Sequence, residues 1–104
     1  PFRLKSIMTP SKTRPPDPAV PWFLYLLECR RSDGRISFYA GISTDPARRF
    51  SEHAAGKGAR YTRANQPLQI AATRKYPGRT EALRAEAALK KLPRRLKLAF
   101  FDPS

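Results

Sequence analysis

The sequence predicts an α+β fold: a small domain on a three-stranded antiparallel sheet, made of an N-terminal hairpin plus a third strand, flanked by helices. Three observations predict it. Two strand-like segments lie on either side of Ser32-Asp33-Gly34, which reads as a hairpin loop. A helix start, Thr44-Asp45-Pro46, follows the hairpin directly. A third extended segment, closed by Pro77-Gly78, then leads into a run of strong helix formers. At 104 residues the chain has room for one domain with one modest core.

Residues 1–21 carry six prolines, scattered basic residues and no periodicity, and read as a flexible leader. Met8, the only methionine, is a natural start within it. Order is expected from Trp22, with a single domain over residues 22–100 and a short tail at 101–104. Trp22-Phe23-Leu24-Tyr25-Leu26-Leu27 is apolar at every position, as in a central strand covered on both faces. In the next strand Ile36, Phe38, Ala40 and Ile42 face one way, and Ser37, Tyr39 and Gly41 the other.

Loop length decides which side chains share a face. A two-residue Asp33-Gly34 turn would pair Ser32 with Arg35 and put Tyr25 and Tyr39 on opposite faces. A three-residue loop with Gly34 left-handed pairs Arg31 with Arg35 and sets Tyr25 opposite Gly41. Tyr25 and Tyr39 are then diagonal neighbours on one face, with backbones roughly 7–8 Å apart. The three-residue loop is the expected one.

The first helix starts with Asp45 as N-cap and Pro46 at its first position, and Gly56 ends it. Ala47, Phe50 and Ala54 are its expected core stripe, with Arg48 and Glu52 an outward pair. Arg49 and His53, also four apart, project together from the flank of that stripe. Residues 57–63 read as a basic, glycine-containing loop with one aromatic, suited to gripping phosphates. Leu68–Tyr76 is the third strand. The second helix runs from about Thr80 to Leu92, with Ala82, Ala85, Leu89 and Leu92 as its apolar face. Glu86 lies about 40° from Ala82 on the helical wheel, at the edge of that face. Pro93 breaks the helix, and residues 94–98 form a last basic turn.

Charge narrows the function. Lysine and arginine number 21 against 8 acidic residues, a net charge of +13, with pI near 10.9. The first 20 residues hold only four of the basic groups and one acidic group. The folded part therefore carries most of the excess. A polyanion is the natural partner, because surfaces that are merely well solvated usually mix signs. Arg48, Lys57, Arg60, Tyr61, Arg63, Arg94 and Arg95 are the candidate nucleic-acid contacts. No segment approaches the roughly 20 apolar residues of a spanning helix, and no lipidation or secretory signal is evident. Cys29 and His53 are the sole cysteine and histidine, which excludes an intramolecular disulfide and speaks against a protein-built zinc site. A reducing cytoplasm is the expected location. Any catalytic metal would then rest on carboxylate oxygen.

Singly, the polar residues at the expected site have ordinary explanations. Tyr25 and Tyr39 suit strand packing, Arg49 a surface, His53 a satisfied edge and Glu86 an ion pair with Lys90. Together, two hairpin tyrosines, an Arg-x-x-x-His helix face and a half-buried glutamate on a later helix resemble the GIY-YIG nuclease family. Phe23-Leu24-Tyr25 is a degenerate first motif and Tyr39-Ala40-Gly41 the second. Arg49 follows Tyr39 by ten residues, and Glu86 stands where the family places its metal-binding glutamate. The resemblance covers residues 22–92 and is nearest to the compact one-domain bacterial members. Two positions depart from it. Ile42 stands where some relatives have lysine, and the only asparagine, Asn65, precedes the glutamate helix.

The resemblance implies a metal-dependent DNA endonuclease that leaves a 5′-phosphate and a 3′-hydroxyl. Glu86 would hold one Mg²⁺ or Mn²⁺, and Tyr25 would be the general base, with its pKa near 10 lowered by neighbouring cations. Arg49 would brace the phosphate, His53 relay a proton or orient Tyr25, and Tyr39 position water or phosphate. No small-molecule cofactor is implied. DNA is the expected partner, branched and single-stranded forms included, in repair or recombination. A non-catalytic binding module on the same scaffold and a small RNA-binding protein of the translation apparatus are the competing readings.

Overall fold

The computed structural model describes residues 20–102. The expected leader lies outside them, apart from Val20 and Pro21, as do residues 103 and 104 of the expected tail. Strands β1 (Trp22–Arg30), β2 (Ile36–Ser43) and β3 (Gln66–Tyr76) form one antiparallel sheet in the order β2-β1-β3. The most apolar strand is central, as its two-sided hydrophobicity demands. Helices α1 (Pro46–Ala54), α2 (Arg60–Ala64), α3 (Arg79–Lys90) and α4 (Arg94–Lys97) surround it, with a final 3₁₀ turn at Ala99–Phe101.

The hairpin closes through the three-residue loop. Arg31 N–H donates to the Arg35 carbonyl at 2.8 Å and Gly34 N–H to the Arg31 carbonyl at 2.9 Å. Gly34 has φ +86°, a conformation that costs glycine little. Tyr25 consequently opposes Gly41, and Leu27 opposes Tyr39. One register step would have sent the two tyrosines to different faces.

β1 serves two clusters. Leu24 and Leu26 face α3, where they meet Ala40 and Leu89, with Phe38, Ile42, Phe100 and Phe101 packed around them. Tyr25, Leu27 and Cys29 face the other way, against Tyr39, Phe50 and Ile70. Leu24, Leu26 and Leu27 are fully buried, each contributing about 1.5–3 kcal/mol of transfer free energy. β3 starts two residues earlier than expected and carries irregularities opposite Leu26/Leu27 and Glu28/Cys29. Pro67 is tolerated there because β3 is an edge strand, free of a ladder partner on one side.

Two expectations are corrected. In α1, Ala47 and Ala54 are exposed, and the buried residue is His53, with Phe50 and Arg49 half-buried beside it. Phe50 alone could not fix the phase of so polar a helix, and partners for His53 from elsewhere in the chain, Tyr25 before it and Thr62 after it, turn its polar edge inward. The expected loop at residues 57–63 folds from Arg60 onward into α2, which buries Thr62. Asn65 caps α2, its amide donating to the Tyr61 carbonyl at 3.0 Å. On α3, Ala82 and Leu89 are buried and Ala85 packs beside the core, as the helical wheel requires; the helix ends at Lys90, short of the expected Leu92, which packs against the core from just beyond it.

Candidate active site

Tyr25 is 2 % exposed, and its hydroxyl lies 3.1 Å from His53 Nε2. The approach depends on Gly41, across the ladder from Tyr25. A Cβ there would overlap the phenol hydroxyl and stand 2.5 Å from Cζ. Thus the glycine of the second motif is the space that the first tyrosine fills.

His53 is 1 % exposed, and both ring nitrogens are engaged. Nδ1 lies 2.7 Å from Thr62 Oγ1 and 3.4 Å from Ala59 N. Gly58 is pressed against the same ring, where a Cβ would overlap Nδ1 and approach Cε1 to 2.7 Å. Tyr39 meets the imidazole edge-on, with centroids 5.3 Å apart, and stacks on Tyr61 at 5.7 Å. Tyr61 in turn donates its hydroxyl to Ser37 on the same face of β2. Tyr25, Tyr39, His53 and Tyr61 therefore form one aromatic group, joined by two side chains that sequence reasoning did not assign, Thr62 and Ser37. An apolar-pattern search could not find either one, since each is a hydroxyl buried by a distant partner.

Arg49 is four residues before His53 on α1, with its side chain one-third exposed. It donates to Glu52 Oε1 at 2.8 Å, while Arg48 donates to Oε2 at 2.6 Å. Glu52 is thus shared between two arginines and is not only the outward partner of Arg48. The arrangement holds Glu52 below the usual carboxylate range, chiefly through the hydrogen bond from Arg49.

Burial pushes the Tyr25 phenol up to about 12; the nearby Tyr39 adds to this, and Arg49 opposes it without prevailing. The expectation that neighbouring cations lower this phenol is therefore not met. Desolvation of the phenolate outweighs one partly exposed guanidinium. Burial, reinforced by the charge of Arg49, holds His53 below its ordinary 6.5, so the imidazole is neutral at pH 7. Of the pair, His53 is the available base.

The Glu86 side chain is 18 % exposed and pairs with Lys90 Nζ at 3.2 Å. Its charge is felt at Tyr25, where it disfavours the phenolate. Among the described residues no three His, Cys, Asp or Glu side chains cluster as a metal site. A lone, partly exposed carboxylate suits a hard cation that keeps most of its waters, as Mg²⁺ does, and does not suit zinc.

The cationic candidates divide. Lys57, Arg60 and Arg63 are exposed around α2, next to the aromatic group. Arg48 is exposed but engaged with Glu52 and Asp45. Arg94 donates to the Ile36 carbonyl at 2.7 Å, tying α4 to β2, and Arg95 is exposed on the same turn. Behind His53 opens a cavity of about 530 Å³ whose lining includes Arg30, Arg31, Thr62, Arg63 and Gln66. Arg30 and Arg31 were not among the expected contacts, because a hairpin end gives no periodic signal. No helix among the described residues is long and apolar enough to cross a membrane.

Comparison with known proteins gives this geometry a setting. A family model described as the GIY-YIG catalytic domain matches residues 21–98. A UPF0213 protein of Xanthomonas axonopodis pv. citri is 56 % identical over 86 residues, covering 83 % of this chain and 80 % of that protein. A UPF0213 protein of Cupriavidus pinatubonensis is 49 % identical over 79 residues, or 76 % of this chain and 83 % of its own. The solution NMR structure of the UPF0213 protein BH0048 from Bacillus halodurans is 45 % identical, with a TM-score of 0.43 over 74 % of this chain and 78 % of that one.

Proposed function

Since the chain belongs to the GIY-YIG family, alongside small UPF0213 proteins, we propose that it is a divalent-metal-dependent DNA endonuclease that hydrolyses phosphodiester bonds. The observation that carries this reading is the buried Tyr25–His53 pair at 3.1 Å, with Arg49 one helical turn away. A buried phenol needs some hydrogen-bond partner, and a neutral imidazole is one that can also take its proton.

The phenol at about 12 supplies almost no phenolate at neutral pH. Tyr25 instead takes a proton from the attacking water while passing its own to the neutral Nε2 of His53, so the charge ends on the imidazole. The site then never holds an isolated phenolate. Arg49, released from Glu52 by the incoming phosphate, presents a planar fork to the non-bridging oxygens. Tyr39 fixes the far edge of the imidazole and borders the space for the phosphate. Glu86 is the residue that would hold the metal, once Lys90 yields its carboxylate; the ion's chemistry is stabilisation of the leaving oxygen.

Lys57, Arg60 and Arg63, with the arginine-lined cavity behind His53, give the phosphate backbone its track, and the Tyr61 ring offers a base a stacking surface. Contacts of this kind grip backbone and shape. The enzyme accordingly selects DNA by form, branched or single-stranded, over a long sequence, and binding is salt-sensitive. A role in repair or recombination follows from that selectivity, and the single lone thiol suits the cytoplasm.

The test is cleavage of supercoiled, branched and single-stranded DNA with Mg²⁺ or Mn²⁺ by wild type, Tyr25→Phe, Arg49→Ala and Glu86→Ala. Wild type should cut and the variants lose at least about 100-fold in kcat. Equal cutting by all four would refute the site. One observation favours a second reading, a non-catalytic nucleic-acid-binding module: Glu86 is engaged by Lys90. Wild type that binds DNA and cuts with neither metal would support the module.

A further inference from the structure

Thr62 is the only buried residue of the five-residue helix α2, at 2 % exposure. Its hydroxyl has one proton and two neighbours. One is the Ala59 carbonyl at 2.9 Å, which can only accept. The other is His53 Nδ1 at 2.7 Å. With the Thr62 proton given to the carbonyl, Oγ1 offers Nδ1 a lone pair, so Nδ1 must carry the hydrogen. A neutral imidazole protonated at Nδ1 is bare at Nε2, the nitrogen that faces Tyr25. One group opposes this polarity: Ala59 N–H, which would need Nδ1 as an acceptor. At 3.4 Å it lies beyond the usual range for N–H donors, whereas the Thr62 contact is short.

We propose that Thr62 is a positioning residue for the Tyr25–His53 pair: its hydroxyl, fixed by the Ala59 carbonyl, holds His53 in the tautomer whose bare Nε2 can accept the Tyr25 proton. The inference rests on the role given to that pair above and assigns a task to α2. Proton directions then run from Tyr25 Oη to Nε2, from Nδ1 to Thr62 Oγ1 and from Thr62 Oγ1 to the Ala59 carbonyl. The reversed chain, with Nε2–H donating to Tyr25, leaves no imidazole lone pair on the side of the reaction. Gly58 contributes by close approach, since any side chain there would push the ring away from both hydroxyls.

Because the chain has one histidine, its imidazole nitrogens are unambiguous in long-range ¹H–¹⁵N correlation spectra of the full ¹⁵N-labelled protein. At a pH where the ring is neutral, Nδ1 is expected as the protonated, pyrrole-type nitrogen and Nε2 as the bare, pyridine-type one. Thr62→Val should shift the population toward the Nε2–H form, and Thr62→Ser should restore the wild-type pattern. In DNA cleavage Thr62→Val should lower kcat about 10- to 100-fold with KM little changed, and Thr62→Ser should recover most of it. Wild-type protein protonated at Nε2 overturns the proposal with no variant needed. So does a folded Thr62→Val protein with an unchanged tautomer. The spectrum does not depend on turnover: a protein with the expected tautomer that never cuts DNA would refute the endonuclease reading and leave the positioning role standing.

Discussion

Replacing Gly41 with alanine puts a methyl carbon where the Tyr25 phenol stands. The added Cβ would be 2.5 Å from Tyr25 Cζ and closer still to the hydroxyl, against an optimal carbon separation of about 3.5–4.0 Å. One group must therefore move by about 1 Å or more. Tyr25 is closed in by its own cluster, and Gly41 lies in the centre of the β1–β2 ladder. Overpacking of this sort costs about 1–3 kcal/mol. In a domain of this size each kcal/mol lowers Tm by about 4–8 °C. The φ of Gly41 lies outside the left-handed region, so backbone strain contributes nothing and the whole penalty belongs to the contact. Urea unfolding followed by the fluorescence of Trp22, the only tryptophan, measures it. In a Tyr25→Ala background the penalty should vanish, giving a coupling of about 1–3 kcal/mol. The same loss in both backgrounds would refute the argument. Gly34→Ala is the contrast: with φ +86° and open space around it, it should cost about 1–2 kcal/mol and show no coupling to Tyr25.

Glu52→Gln should release Arg49 and tighten DNA binding about three- to fivefold at low salt, well beyond Glu81→Gln, which removes an equal charge from α3; equal gains would reduce the effect to net charge. Lys90→Met should free the Glu86 carboxylate and strengthen Mn²⁺ binding several-fold by water-proton relaxation, and Glu86→Gln should weaken it. No change in either variant would remove Glu86 as a ligand. Stability should be flat between about pH 6.5 and 9, above which the buried Cys29 thiol, raised from 9.0 to about 11, begins to lose its contribution because the unfolded thiol ionises first. His53, depressed in the fold, loses its contribution as pH falls below 6.5 toward its folded pKa, because the unfolded chain takes the proton first. Tyr25, raised in the fold, loses its contribution as pH climbs from 10.0 through about 12. Denaturant midpoints across pH should show both limbs, with the alkaline one weakened in Tyr25→Phe. An undiminished alkaline limb in that variant would assign it to other groups.

The parts legible in the sequence were those set by local rules. Loop length at Ser32-Asp33-Gly34 fixed the register and hence the shared face of Tyr25 and Tyr39. Asp45-Pro46 fixed the start of α1, with Asp45 Oδ1 accepting from Arg48 N at 3.1 Å. The phase of α3 put Glu86 on the edge of its apolar face. The parts not legible depend on polar groups satisfied from far along the chain. His53 is inside because Thr62 and Tyr25 meet its two nitrogens. Residues 57–63 looked like a loop because glycine and arginine dominate there, and the burial of Thr62 is what organises Arg60–Ala64 as a helix. The raised pKa of Tyr25 is not legible for a related reason: the number of cations in the sequence says nothing of how dry the phenol is.

Along β1, even-numbered Leu24 and Leu26 serve one cluster and odd-numbered Tyr25, Leu27 and Cys29 the other. On the proposed reading, scaffold and chemistry are thus interleaved residue by residue. A lineage that abandons the reaction does not thereby relax selection on this strand, because Tyr25 remains a core residue whether or not its hydroxyl is used. Arg49 and Glu86 belong to neither buried cluster, so on the proposed reading they are the positions where disuse would leave its mark first.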